Sequence, residues 1–190
     1  MSKRWRIHCH DSDRITALGR EAGIPAVVAQ LLVSRGVTDA STAREFLDPK
    51  LSDLRDPQLL PGCEEAARRI HHAVGDGRRI CIHGDYDVDG MTGAALLYLA
   101  LKLFGADAGY YIPHRIDEGY GLSAETIRAK AAEKVDLIVT VDCGINSLEE
   151  AALARQLGVE LIITDHHEPG PQLPDAAAVV HHAWPRNSVQ

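Results

Sequence analysis

Residues 78–93 read RRICIHGDYDVDGMTG. A short apolar run ends at Gly84, three aspartates alternate at Asp85, Asp87 and Asp89, and Gly90 opens the apolar run GMTGAALLYLALKLFGA. The first run is too short for a helix and reads as a strand, while the second reads as a long helix. Like charges spaced this closely repel. The turn between strand and helix therefore asks for a cation, or else is only a polar turn.

The same alternation continues down the chain. AGYYIPHR reads as a strand and SAETIRAKAAEK as a helix. VDLIVTVDCG and VELIITDHH read as apolar strands around the helix SLEEAALARQLG, and AAAVVHH as a last strand. Strands without strict alternation, separated by helices, predict a parallel sheet buried on both faces. Before residue 79 the pattern is helical: IPAVVAQLLVSRGV stops at Gly36, TDASTAREFL is capped by Thr38 or Asp39, and CEEAARRIHHAVGDG closes on glycines. LSDLRDPQLLPG, with two prolines, is predicted to be an extended connector. The expected division is a helical lead-in at 1–78 and an α/β domain at 79–190, incomplete at its C-terminal end.

Composition excludes several classes. No run approaches the length of a membrane span, and the charged start MSKRWRIHCHDSDR is no signal peptide. Four scattered cysteines without a CxxC pair suit a reducing cytoplasm better than a disulfide frame. Residues 1–79 carry 13 basic and 11 acidic side chains (+2), and residues 80–190 carry 7 and 16 (−9). An acidic half argues against binding phosphates through a basic patch, yet bound divalent metals would reverse the local sign.

Three charged clusters share one address, the carboxyl ends of strands. Asp85, Asp87 and Asp89 follow the first strand, Asp142 ends DLIVTVD, and Asp165, His166 and His167 end VELIIT. In open parallel sheets these ends face one crevice, where ligands bind. An EF-hand reading of DxDxDG fails, because position 12 is Leu96 and a strand precedes it. No phosphate-binding GxxxxGK[ST] occurs. Gly84 and Gly90 are expected to let the chain turn tightly, and Gly93 to admit close helix packing. Alone, Asp142 reads as a strand-end cap and His166-His167 as surface imidazoles. His71-His72 and His181-His182 read as structural. Together, the carboxylates and imidazoles suit Mn²⁺ or Mg²⁺, and a carboxylate on a middle strand, Asp142, could bridge two ions for phosphoester hydrolysis. Asp165 stands ready to orient a neighbouring ring.

HGDYDVDG, TVDCG and TDHH, in that order, resemble the first three motifs of the DHH phosphoesterase superfamily, and the lead-in and IPHRIDEGYGLS resemble its single-stranded-DNA exonucleases. The resemblance implies a Rossmann-like, mostly parallel sheet flanked by helices. It also implies two Mn²⁺ or Mg²⁺ ions and 5′→3′ release of mononucleotides from single-stranded DNA in DNA repair and recombination. By the same resemblance Asp87 binds one ion and Asp89 the other, Asp142 bridges them, His166 completes the second site and His167 contacts the scissile phosphate. His83 is a further metal ligand, Asp85 a supporting or occasional one, and Arg115, Gly119 and Gly121 lie near substrate. The implied partners are single-stranded DNA and a single-strand-binding protein or other repair proteins, in the cytoplasm. The superfamily's fourth motif, a later aspartate, has no counterpart among the 23 residues after His167, where Asp175 is the sole aspartate. The second substrate-binding domain and the OB-fold that the resemblance implies are not expected within these 190 residues, and His181-His182 stands where Asn-Pro is usual. Two alternatives stand beside this reading. One is another DHH phosphoesterase, acting on oligonucleotides, cyclic dinucleotides or polyphosphate. The other is a non-catalytic scaffold that binds DNA.

Overall fold

A computed structural model describes residues 10–182, and contacts divide the chain into two units, Met1–Arg55 and Asp56–Gln190. In the first, helices α1 (Ser12–Ala22), α2 (Ala26–Ser34) and α3 (Ala40–Leu47) enclose a small core of Leu18, Ala29, Leu32 and Ala43. Asp11 caps α1 by accepting from Arg14 N–H, and Asp39 caps α3 by accepting from Thr42 N–H. The segment expected to be extended instead forms two single 3₁₀ turns, Leu51–Asp53 and Pro57–Leu59. Local side-chain bonds explain this: Lys50 N–H donates to Asp53 and Gln58 N–H to Asp56, bending the backbone at each aspartate.

The second unit holds five parallel strands: β1 (Ile80–Gly84), β2 (Ala108–Tyr111), β3 (Leu137–Val141), β4 (Glu160–Thr164) and β5 (Ala178–Val180). Their order is β2-β1-β3-β4-β5, all parallel. Helices α4 (Cys63–Gly75) and α5 (Val88–Leu103) supply Ala66, Ala73, Ala94 and Leu101 to one face of the sheet, against Ile80, Ile82, Leu137, Val139 and Ile162. Helices α6 (Ala124–Ala132) and α7 (Leu148–Gln156) cover Ile138, Leu161 and Ile163 on the other. Burial on both faces accounts for the unbroken apolar runs.

Helix α4 precedes the first strand yet belongs to this unit, so the division by contacts falls earlier than the change of texture at residue 79. Its apolar side is in the sheet's core, and Arg69 joins Arg78 in gripping Glu160 at the start of β4, at 2.8 and 2.6 Å. Gly62, at its N-terminus, has φ 79°, and a Cβ there would lie 1.9 Å from Val179 O. The connection before α4 therefore runs directly against β5. Among the described residues no helix is long and apolar enough to cross a membrane.

Candidate metal centre

The strand order reverses direction between β1 and β3, the topological switch at which α/β sheets of this order bind ligands. Three aspartates stand there, one rung past each strand. Asp85 N–H donates to Val141 O, Asp142 N–H to Thr164 O and Asp165 N–H to Val180 O. The sheet's own ladder sets them side by side.

Local packing explains the turn after β1. Gly84 and Gly90 do not have the positive φ of a left-handed turn. They are needed because there is no room for a side chain: a Cβ on Gly90 would lie 2.5 Å from Asp85 N and O, and one on Gly84 2.8 Å from Gly90 O. A Cβ on Gly93 would lie 2.7 Å from Val141 Cγ1, a side-chain atom rather than backbone. Asp87 caps α5 by accepting from Gly90 N–H at 3.0 Å, and this bond holds its carboxyl below the ordinary range.

After β3 the backbone enters an unusual conformation. Asp142 has φ 65°, a region few residues other than glycine adopt, and Gly144 has φ 105°. Thr140 secures the turn by donating its hydroxyl to Cys143 O at 2.7 Å. Strain of this kind collects at functional positions. The Asp142 side chain is 7% exposed, and its Oδ1 accepts from His166 Nε2 at 2.9 Å. Burial, then the neighbouring charge of Asp87, pushes its carboxyl up, while His166 and His167 oppose the shift.

After β4, Asp165 organises the pair of histidines. Its Oδ1 accepts from the backbone N–H of His166 and of His167, and from His167 Nδ1, at 2.7, 3.1 and 2.7 Å. Its Oδ2 accepts from Ile145 N–H at 2.9 Å. Burial would raise this carboxyl, but these donors together hold it below its usual range. The same contact raises His167, whose Nδ1 donates to Asp165 while its Nε2 lies 3.5 Å from the Tyr120 hydroxyl.

Two clusters of possible metal ligands result among the described residues: Asp85, Asp87 and Asp142; and Asp142, His166 and His167, each with ligand atoms within 4.8 Å of one another. Asp142 is common to both. Asp85 Oδ1 and Asp142 Oδ2 are buried and have no hydrogen-bond partner. Two orphaned carboxylate oxygens beside further acidic groups form an arrangement that a divalent cation satisfies. Carboxylates with imidazoles, and no available thiolate, match Mn²⁺ or Mg²⁺; burial raises the Cys143 thiol out of reach.

The remaining predicted residues are placed differently. Asp89 is exposed on the first turn of α5 and outside both clusters, though it lines a cavity of about 310 Å³ with Leu60, Asp142, Thr164, Asp165 and His166. His83 lies within β1, 1% exposed; its Nε2 donates to Gly121 O at 3.2 Å, and its Nδ1 is unpartnered. Burial pushes its pKa down, so the ring is neutral. Arg115 stacks over the Tyr86 ring at 5.0 Å. Gly119 and Gly121, φ 79° and 83°, flank Tyr120.

Tyr120 belongs to the Gly119–Gly121 turn expected near substrate, and His181 reads from the sequence as structural; the structure brings both to the site. The Tyr120 ring meets those of Tyr86 and His167 edge-on, and its hydroxyl donates to Asp142 O at 3.4 Å. The sequence signal is the Gly-Tyr-Gly setting, whose glycines both take positive φ. His181 is buried, with Nε2 2.8 Å from His167 O.

With this geometry in place, the chain compares as follows. Residues 79–188 match the DHH family, N-terminal domain. The single-stranded-DNA-specific exonuclease RecJ of Bacillus subtilis (strain 168) is 43% identical over 182 residues, 96% of this chain and 23% of that protein. A crystal structure of exonuclease RecJ bound to manganese superposes with a TM-score of 0.63 at 45% identity, covering 67% of this chain and 33% of that one. RecJ from Thermus thermophilus in complex with Mn²⁺ gives a TM-score of 0.65 at 35% identity, covering 89% and 23%. The chain spans less than a third of the length of these curated relatives.

Proposed function

This chain belongs to the DHH family, and from that premise we propose that it carries the metal centre of a RecJ-like single-stranded-DNA exonuclease. The activity is metal-dependent phosphodiester hydrolysis that releases 5′-mononucleotides in the 5′→3′ direction, in DNA repair and recombination. Residues 79–190 are assigned as the phosphoesterase domain, with α4, the last helix of the 1–78 lead-in, packed on its sheet.

One observation carries this reading. Carboxylates and imidazoles from three strand ends converge at the β1/β3 switch, around buried oxygens of Asp85 and Asp142 that have no partner. Asp85, Asp87 and Asp142 would hold one Mn²⁺ or Mg²⁺ ion, and Asp142 and His166 a second. Asp89 and His83 are assigned to the same ions as further donors. When bound, the ions would neutralise the phosphate and stabilise charge developing on its oxygens. His167, fixed through Nδ1 by Asp165, presents Nε2 to the scissile phosphate, and its raised pKa favours the form that donates to an anion. Arg115 and the loop through Gly119, Tyr120 and Gly121 border the substrate. The partners are single-stranded DNA and, among proteins, a single-strand-binding protein or other repair proteins. Free thiols at Cys63, Cys81 and Cys143 agree with a reducing cytoplasm.

The test is release of mononucleotides from 5′-labelled single-stranded DNA with Mn²⁺, with Asp87→Ala/Asp89→Ala as the blank. Release that disappears in the variant supports the reading. Hydrolysis of dinucleotides or polyphosphate without action on longer strands would replace it with another DHH activity. No Mn²⁺ binding and no hydrolysis of any of these would favour a scaffold.

A further inference from the structure

The turn Asp165-His166-His167 is held from two sides. On one side Asp165 collects the turn's N–H groups, accepting from the backbones of His166 and His167. On the other, the carbonyl of His167 lies 2.8 Å from Nε2 of His181. A carbonyl only accepts, so His181 donates through Nε2. The His181 ring is 2% exposed, at the end of β5.

The backbone around His181 is equally constrained. Its own N–H donates to Pro61 O at 3.4 Å. The next residue, Gly62, packs so closely on Val179 that any side chain would collide. Leu60 and Val180, from the same two segments, line the cavity that Asp142 and His166 open onto. His181 therefore links a rigid junction, formed by β5 and the chain leading into α4, to the backbone of the histidine pair.

We propose that His181 is a positioning residue: by bonding the His167 carbonyl it sets the rotation of that peptide, and with it the aim of His166 and His167 at Asp142. The proposal rests on the metal reading above and extends it to a residue outside both ligand clusters. Groups that orient metal ligands by hydrogen bonding commonly alter metal affinity when removed.

The experiment is calorimetric Mn²⁺ titration of the full chain beside His181→Leu and His181→Gln. Leucine keeps much of the ring's bulk without a donor, whereas the glutamine amide N–H reaches about as far as imidazole Nε2. The leucine variant is expected to bind Mn²⁺ about tenfold or more weakly, and the glutamine variant to recover most of the loss. Equal weakening in both variants, with a matching fall in melting temperature, would mean that His181 only fills space, and would overturn the proposal. The ring ¹⁵N resonances of His166 and His167 in the metal-free protein supply a second readout. They should move in His181→Leu and return in His181→Gln, and unchanged resonances in the leucine variant would overturn the proposal. If the parent chain binds no Mn²⁺, the metal reading fails, and the resonances still decide whether His181 positions the pair.

Discussion

Replacing Asp142 by asparagine separates the cost of the cluster from its use. Asparagine tolerates the φ of 65° as well as aspartate does. Its Oδ1 can still accept from His166 Nε2, now 2.9 Å from Asp142. What changes is Oδ2, a buried oxygen without a partner beside the carboxylates of Asp85 and Asp87. An N–H in that place is a donor facing acceptors. An unsatisfied buried polar group costs about 1–3 kcal/mol, so Asp142→Asn should stabilise the metal-free protein by about that much. At about 2–4 °C per kcal/mol for a chain of this size, the melting temperature should rise by roughly 2–12 °C. With Mn²⁺ the gap should close or invert. A ligand at a hundred times its Kd stabilises the protein that binds it by about 2.7 kcal/mol, and the variant should gain little. The assay is thermal unfolding of both proteins near neutral pH, with chelator and with saturating Mn²⁺. An Asp142→Asn protein less stable than its parent in chelator, or one that gains equally from Mn²⁺, would refute the reasoning.

Four other perturbations have defined outcomes. Asp142→Ala should abolish Mn²⁺ binding more completely than Asp85→Ala, since Asp142 belongs to both clusters; calorimetry that gives the two variants equal affinity would count against the shared role. Gly90→Ala places a Cβ 2.5 Å from the Asp85 backbone, so it should cost about 1–3 kcal/mol in urea unfolding and weaken Mn²⁺ binding. Gly93→Ala meets only Val141 Cγ1, and the helical preference of alanine, worth up to about 1 kcal/mol, should leave it near neutral. Burial raises the Glu160 carboxyl, but Arg69 and Arg78 outweigh this and hold it below the ordinary glutamate value. Its stabilisation is therefore present above that ordinary value and is lost as pH falls through the lower, folded one. Glu160→Gln should cost about 2 kcal/mol near neutral pH and flatten the acid limb of the stability profile between roughly pH 5 and pH 3.

Much of this was legible in the residues. Apolar runs without alternation between helices announced a parallel sheet, and clusters at three strand ends announced a crevice, because both signals are local and periodic. What escaped depended on contacts distant in sequence. The glycines of GDYDVDG looked like turn formers, yet their role is close approach, visible only once α5 lies on β1. Helix α4 read as part of the lead-in, since nothing in its composition reveals that its apolar side meets the sheet. LSDLRDPQLLPG looked extended because prolines were weighed above Asp53 and Asp56, whose side-chain bonds bend the chain. His181 read as structural because its partner, the carbonyl of His167, has no sequence signature. The three alternating aspartates look equivalent in the sequence, whereas Asp85 is buried and Asp87 and Asp89 are exposed. The direction in which the turn leaves β1 decides that.

The most direct test of the account is the location of manganese in crystals of this chain grown with Mn²⁺, by anomalous scattering at the manganese edge. The expected result is density bounded by Asp85, Asp87 and Asp142, with a second peak between Asp142 and His166. A rim without manganese at saturating concentration, or manganese bound only elsewhere on the molecule, would contradict it.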